Sequence, residues 1–327
     1  MAFIISLFLG FAPMLLFTAI LYSLDRYEKE PGILVGAVFF WGAIVAAGGA
    51  FLINTVLGLG LYMFTASEAA TDIATGSLIA PLVEEFLKGF AVVIVFLVFR
   101  KEFDSILDGI IYAGIAALGF AATENTYYIF TYGYQELGWG GILSIAFVRI
   151  VLVGWQHPFY TSFTGIGLAA SRMSKSTVTK ILAPITGFGL AVFTHSVHNS
   201  LAAILQGKVG LAIGTMIDWG GWFLMVCFIF LMVFNEQKNL KKYLSEEVRS
   251  GTITLVQYQT AISSWHVTMK KISALFSGNY RNNQRFFQLC GELAHKRNQF
   301  DKLGDERGNM QIITDIRHEL TLLSPKL

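Results

Sequence analysis

At 327 residues, 54% hydrophobic and only 14% charged, with a mean hydropathy of +0.57, the chain is too apolar for a water-soluble protein of its size, and bilayer is its expected solvent. The net charge of +2 hides a division, because residues 1–235 carry 10 Lys/Arg against 13 Asp/Glu while residues 236–327 carry 14 against 9. A basic tail on an acidic-leaning apolar body suits an anionic membrane surface and excludes nucleic acid as the expected partner, and no glycine-rich nucleotide motif sits between a strand and a helix.

In chain order, seven apolar stretches, near 2–23, 32–55, 75–99, 106–131, 141–171, 181–206 and 210–234, are long enough to cross about 30 Å of hydrocarbon, which needs roughly 20 residues. The expected fold class is therefore all-α: a polytopic membrane domain over 1–235 followed by a C-terminal cytoplasmic helical domain over 236–327. The first stretch lacks a basic leader and a small-residue cleavage site, so it reads as a retained span and not a signal peptide. The 56–74 connection has room for a short interfacial segment. The fifth stretch is overlong and contains Gly154 and Pro158, and it reads as one kinked or tilted helix.

Basic residues fix an expected orientation. Arg26 and Lys29, Arg100 and Lys101, Arg172, Lys175 and Lys180, and Lys238, Lys241 and Lys242 follow spans one, three, five and seven, whereas the opposite loops hold Lys208 alone. The positive-inside rule then places the N-terminus outside an integral plasma-membrane protein and the tail in the cytoplasm. Cys227 and Cys290 fall in an apolar span and in the tail, so both are expected to be free thiols. Within the tail, Leu255, Tyr258, Ile262, Trp265, Met269 and Ile272 recur at helical spacing, as do Phe286, Leu289, Leu293, Phe300 and Leu303, then Ile313, Ile316, Leu320 and Leu323. These predict a small bundle punctuated at Gly278-Asn279 and Gly304, free to dock on the membrane body or another subunit.

Span three carries the anomaly. Glu84, Glu85 and Lys88 lie within about one turn just after Pro81, where each charge costs roughly 2.5–3.5 kcal/mol on insertion scales. One ammonium can serve either carboxylate but not fully neutralise both, which suits the pair to separate roles as acid and base. Span four adds Asp108 and Glu124-Asn125, the latter reached along a small-residue ladder of Gly109, Ala113, Ala117 and Ala121 that predicts close packing on a neighbour. Span five puts Arg149, Val153, His157, Thr161 and Gly165 on one four-spaced line; span six puts Gly187, Ala191, His195, Asn199 and Ala203 on another, with His198 beside it. Counted from the outer ends, Glu84, Glu85, Glu124, His157 and His195 fall within roughly 12 Å of depth, so four helices can aim acid, base and hydrogen-bond donors at one cavity. Asp218 in span seven is free to cap, to pair with Lys208, or to face that cavity.

In this order, Glu84-Glu85-x-x-Lys88, Asp108-Gly109, Gly119-Phe120-x-x-x-Glu124-Asn125, Arg149 with His157, and His195-x-x-x-Asn199 resemble the PrsW family of intramembrane proteases, and the loop Asp25-Arg26-Tyr27-Glu28-Lys29-Glu30-Pro31 is similar to that family's first loop. The resemblance covers the membrane body to about residue 235 and leaves the tail out. It implies a place in the superfamily of CAAX prenyl endopeptidases and bacteriocin-processing or immunity proteins. The Phe-x-x-x motif of the prenyl endopeptidases ends in His and here ends in Glu124, as is usual in PrsW relatives. The implied activity is hydrolysis of a membrane-protein substrate, such as a regulatory anti-sigma factor. Glu84 is the implied base, Glu85 its partner, His195 with Asn199 the oxyanion or water-orienting pair, and His157 a second imidazole; Glu124 completes the catalytic candidates and Lys88, Asn125, Arg149 and His198 support them. A metal-free glutamate mechanism with no cofactor is the expected form; zinc held by Glu84, Glu85, Glu124, His157 and His195 is the alternative. Two other classes also use such residues: a proton-coupled transporter, which often shows internal repeats not found here, and a non-enzymatic scaffold or immunity protein acting through its tail.

Overall fold

The computed structural model describes residues 1–25, 29–205, 207–305 and 308–327, with 202, 207, 208 and 211 described by backbone alone. Arg26, Tyr27 and Glu28 of the first-loop motif, and the side chain of Lys208, lie outside the described residues. The chain divides into two compact units: Met1–Tyr22, Pro31–Arg172 and Val178–Phe228 form one, and Ser23–Glu30, Met173–Thr177 and Ile229–Leu327 form the other.

Every described element of the first unit is a helix. α1 spans Ala2–Leu24. α2 (Gly32–Phe40) runs through a π-helical turn at Trp41–Ala46 into α3 (Ala47–Thr65). α4 (Glu68–Ala74) runs through another at Thr75–Ile79 into α5 (Ala80–Val98). α6 (Ile106–Tyr128) is followed by a π turn at Ile129–Gln135 and by α7 (Glu136–Ala146). A fourth π turn, Phe147–Leu152, leads to α8 (Gln156–Arg172), then α9 (Thr177–Ile204) and α10 (Gly207–Arg249). Among the described residues, five helical runs are long and apolar enough to cross a membrane: Ala2–Leu24, Gly32–Thr65, Ile106–Arg172, Thr177–Leu201 and Ala212–Arg249. Phe8, Phe51, Leu143 and Leu224 are among the large apolar side chains exposed on these runs, as hydrocarbon solvent requires. The protein is an integral membrane protein.

α6 is the hub of this unit. Residues Leu107 to Ala122 are buried without interruption, because the small-residue ladder admits neighbours on more than one side. A Cβ on Gly165 would lie 1.9 Å from the Gly109 carbonyl oxygen, and one on Gly42 1.9 Å from that of Ala116. Only glycine allows α8 and the Trp41–Ala46 turn to approach so closely. The N-terminus of α6 is closed by a capping box in which Asp108 accepts from the Ser105 N–H at 2.7 Å and the Ser105 Oγ at 2.6 Å, so Asp108 works as a cap.

The fifth apolar stretch departs from a single kinked helix. Val153 leaves helical geometry (φ −122°, ψ 6°), and α8 restarts at Gln156. Pro158 thus falls in a first turn, where its missing N–H costs no hydrogen bond. The second stretch also outruns its expected end, with α3 continuing to Thr65, so that only Ala66 and Ser67 separate it from α4.

The second unit packs α11 (Leu255–Ala261), α12 (Ser264–Phe276), α13 (Tyr280–Leu303) and α14 (Asn309–Leu323) with the end of α10. Phe286, Leu289, Leu293, Ile313 and Leu320 fill its core, as their spacing predicts, and Gly278 and Gly304 end helices at φ 73° and 84°. Cys227 and Cys290 are both free; burial pushes the Cys290 thiol up. The Leu255 to Ile272 stripe behaves differently. Leu255, Trp265, Met269 and Ile272 are exposed, because the core takes the opposite face of α12 through Ala274 and Val267.

Candidate active site

Pro81 lies in the first turn of α5, directly after the Thr75–Ile79 π turn. That turn absorbs the hydrogen bond proline cannot make and sets the rotation of the helix that follows. The Trp41 indole donates to the Leu87 carbonyl at 3.0 Å and pins α5 in place. Glu84, Glu85 and Lys88 are all buried.

Lys88 reaches Glu85 Oε1 at 2.6 Å and Glu84 Oε2 at 3.7 Å. Glu85 is saturated: Oε1 also receives the His195 Nδ1–H at 3.0 Å, and Oε2 receives the Thr161 hydroxyl at 2.7 Å. Glu84 differs, since its Oε2 is buried with no hydrogen-bond partner among the described residues. His195 Nε2 faces that oxygen across 3.9 Å.

On the other side, Glu124 Oε2 accepts from His157 Nε2 at 2.8 Å and pairs closely with Arg149 Nη2. Arg149 also donates to Asn125 Oδ1 at 2.9 Å and lies 4.4 Å over the Tyr128 ring. Glu124 is thus held by protein partners, with 20% of its side chain exposed. His157 Nδ1 accepts from Lys88 at 3.2 Å, and the His157 and His195 rings are 5.2 Å apart. The network assigns both tautomers: each imidazole gives its N–H to a carboxylate and turns its other nitrogen toward the cluster.

α5, α6, α8 and α9 therefore bring Glu84, Glu85, Lys88, Glu124, His157 and His195 together, with Arg149 and Asn125 behind Glu124. Asn199 is placed elsewhere, donating to the Gly76 carbonyl at 2.8 Å. His198 belongs to a neighbouring network around Asp218, which accepts from His198 Nδ1 at 2.7 Å, from the Tyr160 hydroxyl at 3.0 Å, and from Gln156. Tyr160 stacks on His195 at 4.9 Å, so Asp218 braces the site from behind. Gln156 and Tyr160 carry no signal of their own in the sequence; Thr161 is legible only as one turn beyond His157. A cavity of about 370 Å³, lined by Trp155, Trp219, Trp222 and Phe223 among others, opens beside Gln156 and Asp218.

One oxygen of Glu84 and one nitrogen each of His157 and His195 lie within 4.8 Å of one another. The unpartnered Glu84 oxygen and two imidazoles, each oriented by a carboxylate, fit a divalent cation such as zinc. Glu85 and Glu124 stand behind the histidines and outside that trio, which narrows the five-residue ligand set expected from sequence.

Comparison with known proteins agrees with these motifs. The model of a family described as PrsW family intramembrane metalloprotease matches residues 30–234. Protease PrsW of Geobacillus kaustophilus (strain HTA426) is 29% identical over 192 residues, covering 59% of this chain and 77% of that protein. Protease PrsW of Oceanobacillus iheyensis is 29% identical over 191 residues, 58% of this chain and 79% of its own length, and that of Bacillus subtilis (strain 168) is 26% identical over 165 residues, 50% and 68% respectively. No solved structure matches the chain.

Proposed function

The chain belongs to the PrsW family of intramembrane proteases, and from that premise we propose that it is an endopeptidase cleaving single-pass or peripheral membrane proteins with water activated at Glu84. The observation that carries this reading is the buried Glu84 Oε2 without a hydrogen-bond partner among the described residues, next to a Glu85 whose two oxygens are both engaged. A carboxylate so placed is available to take a proton from water and return it to the leaving amine. His195 Nε2 orients the same water, while Lys88, held between Glu84 and Glu85, supplies positive charge to the tetrahedral oxygen. Glu85 and Glu124 fix the histidine tautomers, and Thr161 and Arg149 fix those carboxylates in turn. The apolar cavity beside Gln156 receives a hydrophobic part of the substrate.

In the alternative, metal-dependent form Glu84, His157 and His195 would act as ligands of a zinc ion, which when bound supplies Lewis-acid polarisation of the scissile carbonyl and a more acidic water. Family membership favours hydrolysis over the transport and scaffold readings. The seven-span count follows if Ile106–Arg172 is divided into two passes, α6 and α7 with α8, and α4 with α5 is counted despite its charges. The N-terminus outside and the tail in the cytoplasm complete this reading, supported by Arg100, Lys101, Arg172, Lys175 and Lys180 on one side; protease protection of terminal tags tests it.

The decisive experiment is cleavage of a transmembrane reporter by the purified protein and by Glu84→Gln, His157→Ala and His195→Ala variants, with and without chelator. Full activity of Glu84→Gln sinks the assignment. Activity lost to chelator and restored by zinc places the cation in the reaction, whereas indifference to chelator leaves the carboxylate to act alone.

A further inference from the structure

The family match ends at residue 234, so the unit that follows has no role assigned by it. Its α12 carries an unusual surface. Trp265, Met269, Ile272 and Phe276 succeed one another at intervals of four, three and four, and all are exposed, Trp265 by 66% and Phe276 by 89%. At about 100° per residue these four fall on one stripe, with exposed Leu275 at its edge. The opposite side of the helix, Ala274 and Val267, faces the core. Lys270 and Lys271 lie on the two flanks between stripe and core.

Charge completes the picture. From Ser250 to Gly291 there is no Asp or Glu, while Lys270, Lys271, Arg281 and Arg285 fall within it; the acids of this unit lie outside that stretch, at Glu246, Glu247, Glu292, Asp301, Asp315 and Glu319 among others. Arg285 is committed to Glu319 and Glu292, but Lys270, Lys271 and Arg281 enter no ion pair recorded among the described residues. A helix with Trp, Phe, Met and Ile on one stripe, lysines on both flanks and no acid in the surrounding stretch of sequence has the composition of an interfacial helix. Its aromatic and aliphatic groups suit the headgroup and acyl boundary, and its lysines reach anionic headgroups on long aliphatic stems.

We infer that α12 is a membrane-surface helix whose Trp265–Phe276 stripe inserts into an anionic bilayer leaflet. A protein partner would suit the apolar stripe equally well, but it would give no reason for acids to be excluded over so long a segment. The inference is independent of the hydrolytic site.

The test is hydrogen–deuterium exchange of the full-length protein in nanodiscs of phosphatidylcholine alone or mixed with phosphatidylglycerol. Amides of Ser264–Phe276 are expected to exchange about tenfold more slowly in the anionic discs. That protection should disappear in a Trp265→Ser, Phe276→Ser double variant and in a Lys270→Glu, Lys271→Glu double variant. Unchanged exchange in α13 and α14 shows that each variant keeps its fold. Equal exchange in the two kinds of disc overturns the inference, and so does concentration-dependent protection in lipid-free micelles, which would assign the stripe to a second copy of the chain.

Discussion

Both units bury a glutamate beside cations, and they treat it in opposite ways. In the second unit, Glu247 has no solvent exposure and every oxygen is engaged: Arg317 reaches Oε1 at 2.6 Å and Oε2 at 2.9 Å, Arg297 reaches Oε1 at 3.4 Å, and Thr252 donates to Oε2 at 3.1 Å. In the first unit Glu84 has Lys88 at 3.7 Å and one oxygen with no hydrogen-bond partner among the described residues. A saturated carboxylate ties segments together; an unsaturated one holds interaction capacity for something else. Glu85, one residue away, resembles Glu247 more than its neighbour, so the contrast operates inside the site as well as between the units.

The contrast can be broken at either end. Glu84→Gln keeps the shape and removes the base, and is expected to lower reporter cleavage by about 10²–10⁴-fold with little change in melting temperature; a large fall in stability with activity retained would make Glu84 structural after all. Glu247→Ala should act the other way, leaving cleavage intact while destabilising the second unit. A loss of about 2–4 kcal/mol is expected, under the 3–5 of a fully buried pair, because Arg317 keeps 38% of its side chain exposed. Denaturant melting monitored by exchange in α13 measures it. Gly165→Ala places a methyl against the Gly109 carbonyl and should cost about 1–3 kcal/mol, lowering thermal stability in micelles and activity together, since α8 carries His157 and Thr161. Smallest is Arg285→Ala, whose pair with Glu319 is 43% and 41% exposed and contributes no more than about 1 kcal/mol. Arg285 holds the Glu319 carboxyl below its ordinary value of 4.5, so this contribution is present above that pH and fades as pH falls through the lowered folded-state value. Melting curves of parent and variant should therefore converge in acid.

What could be read from sequence follows from which interactions repeat with the helix. The lines His157-Thr161-Gly165 on α8 and Gly187-Ala191-His195 on α9 were legible because four-spaced residues within one helix keep a face over several turns, whereas the line from Arg149 to His157 is interrupted at Val153. The small-residue ladder of α6 was legible for the same reason. Asn199 was not, because its partner is the Gly76 carbonyl in a π turn, and no side-chain pattern announces a backbone group. The Asp218 network joins α8, α9 and α10 across 62 residues of chain, beyond the reach of any local period. In the tail, periodicity located an apolar face on α12 but not whether that face turns in or out, since a core and a membrane surface both ask for the same residues.

The four π turns recorded among the described residues, Trp41–Ala46, Thr75–Ile79, Ile129–Gln135 and Phe147–Leu152, bear on how such a chain tolerates changes of length. A π turn is in effect an α helix with one residue added. Removing a single residue from Thr75–Ile79 would restore regular helix and turn Glu84, Glu85 and Lys88 by about 100° relative to α4. Composition and apolar run would be almost untouched, yet the carboxylates would face elsewhere. A one-codon gap there is thus the equivalent of an active-site substitution, and an alignment that closes it for neatness would erase the register on which the site depends.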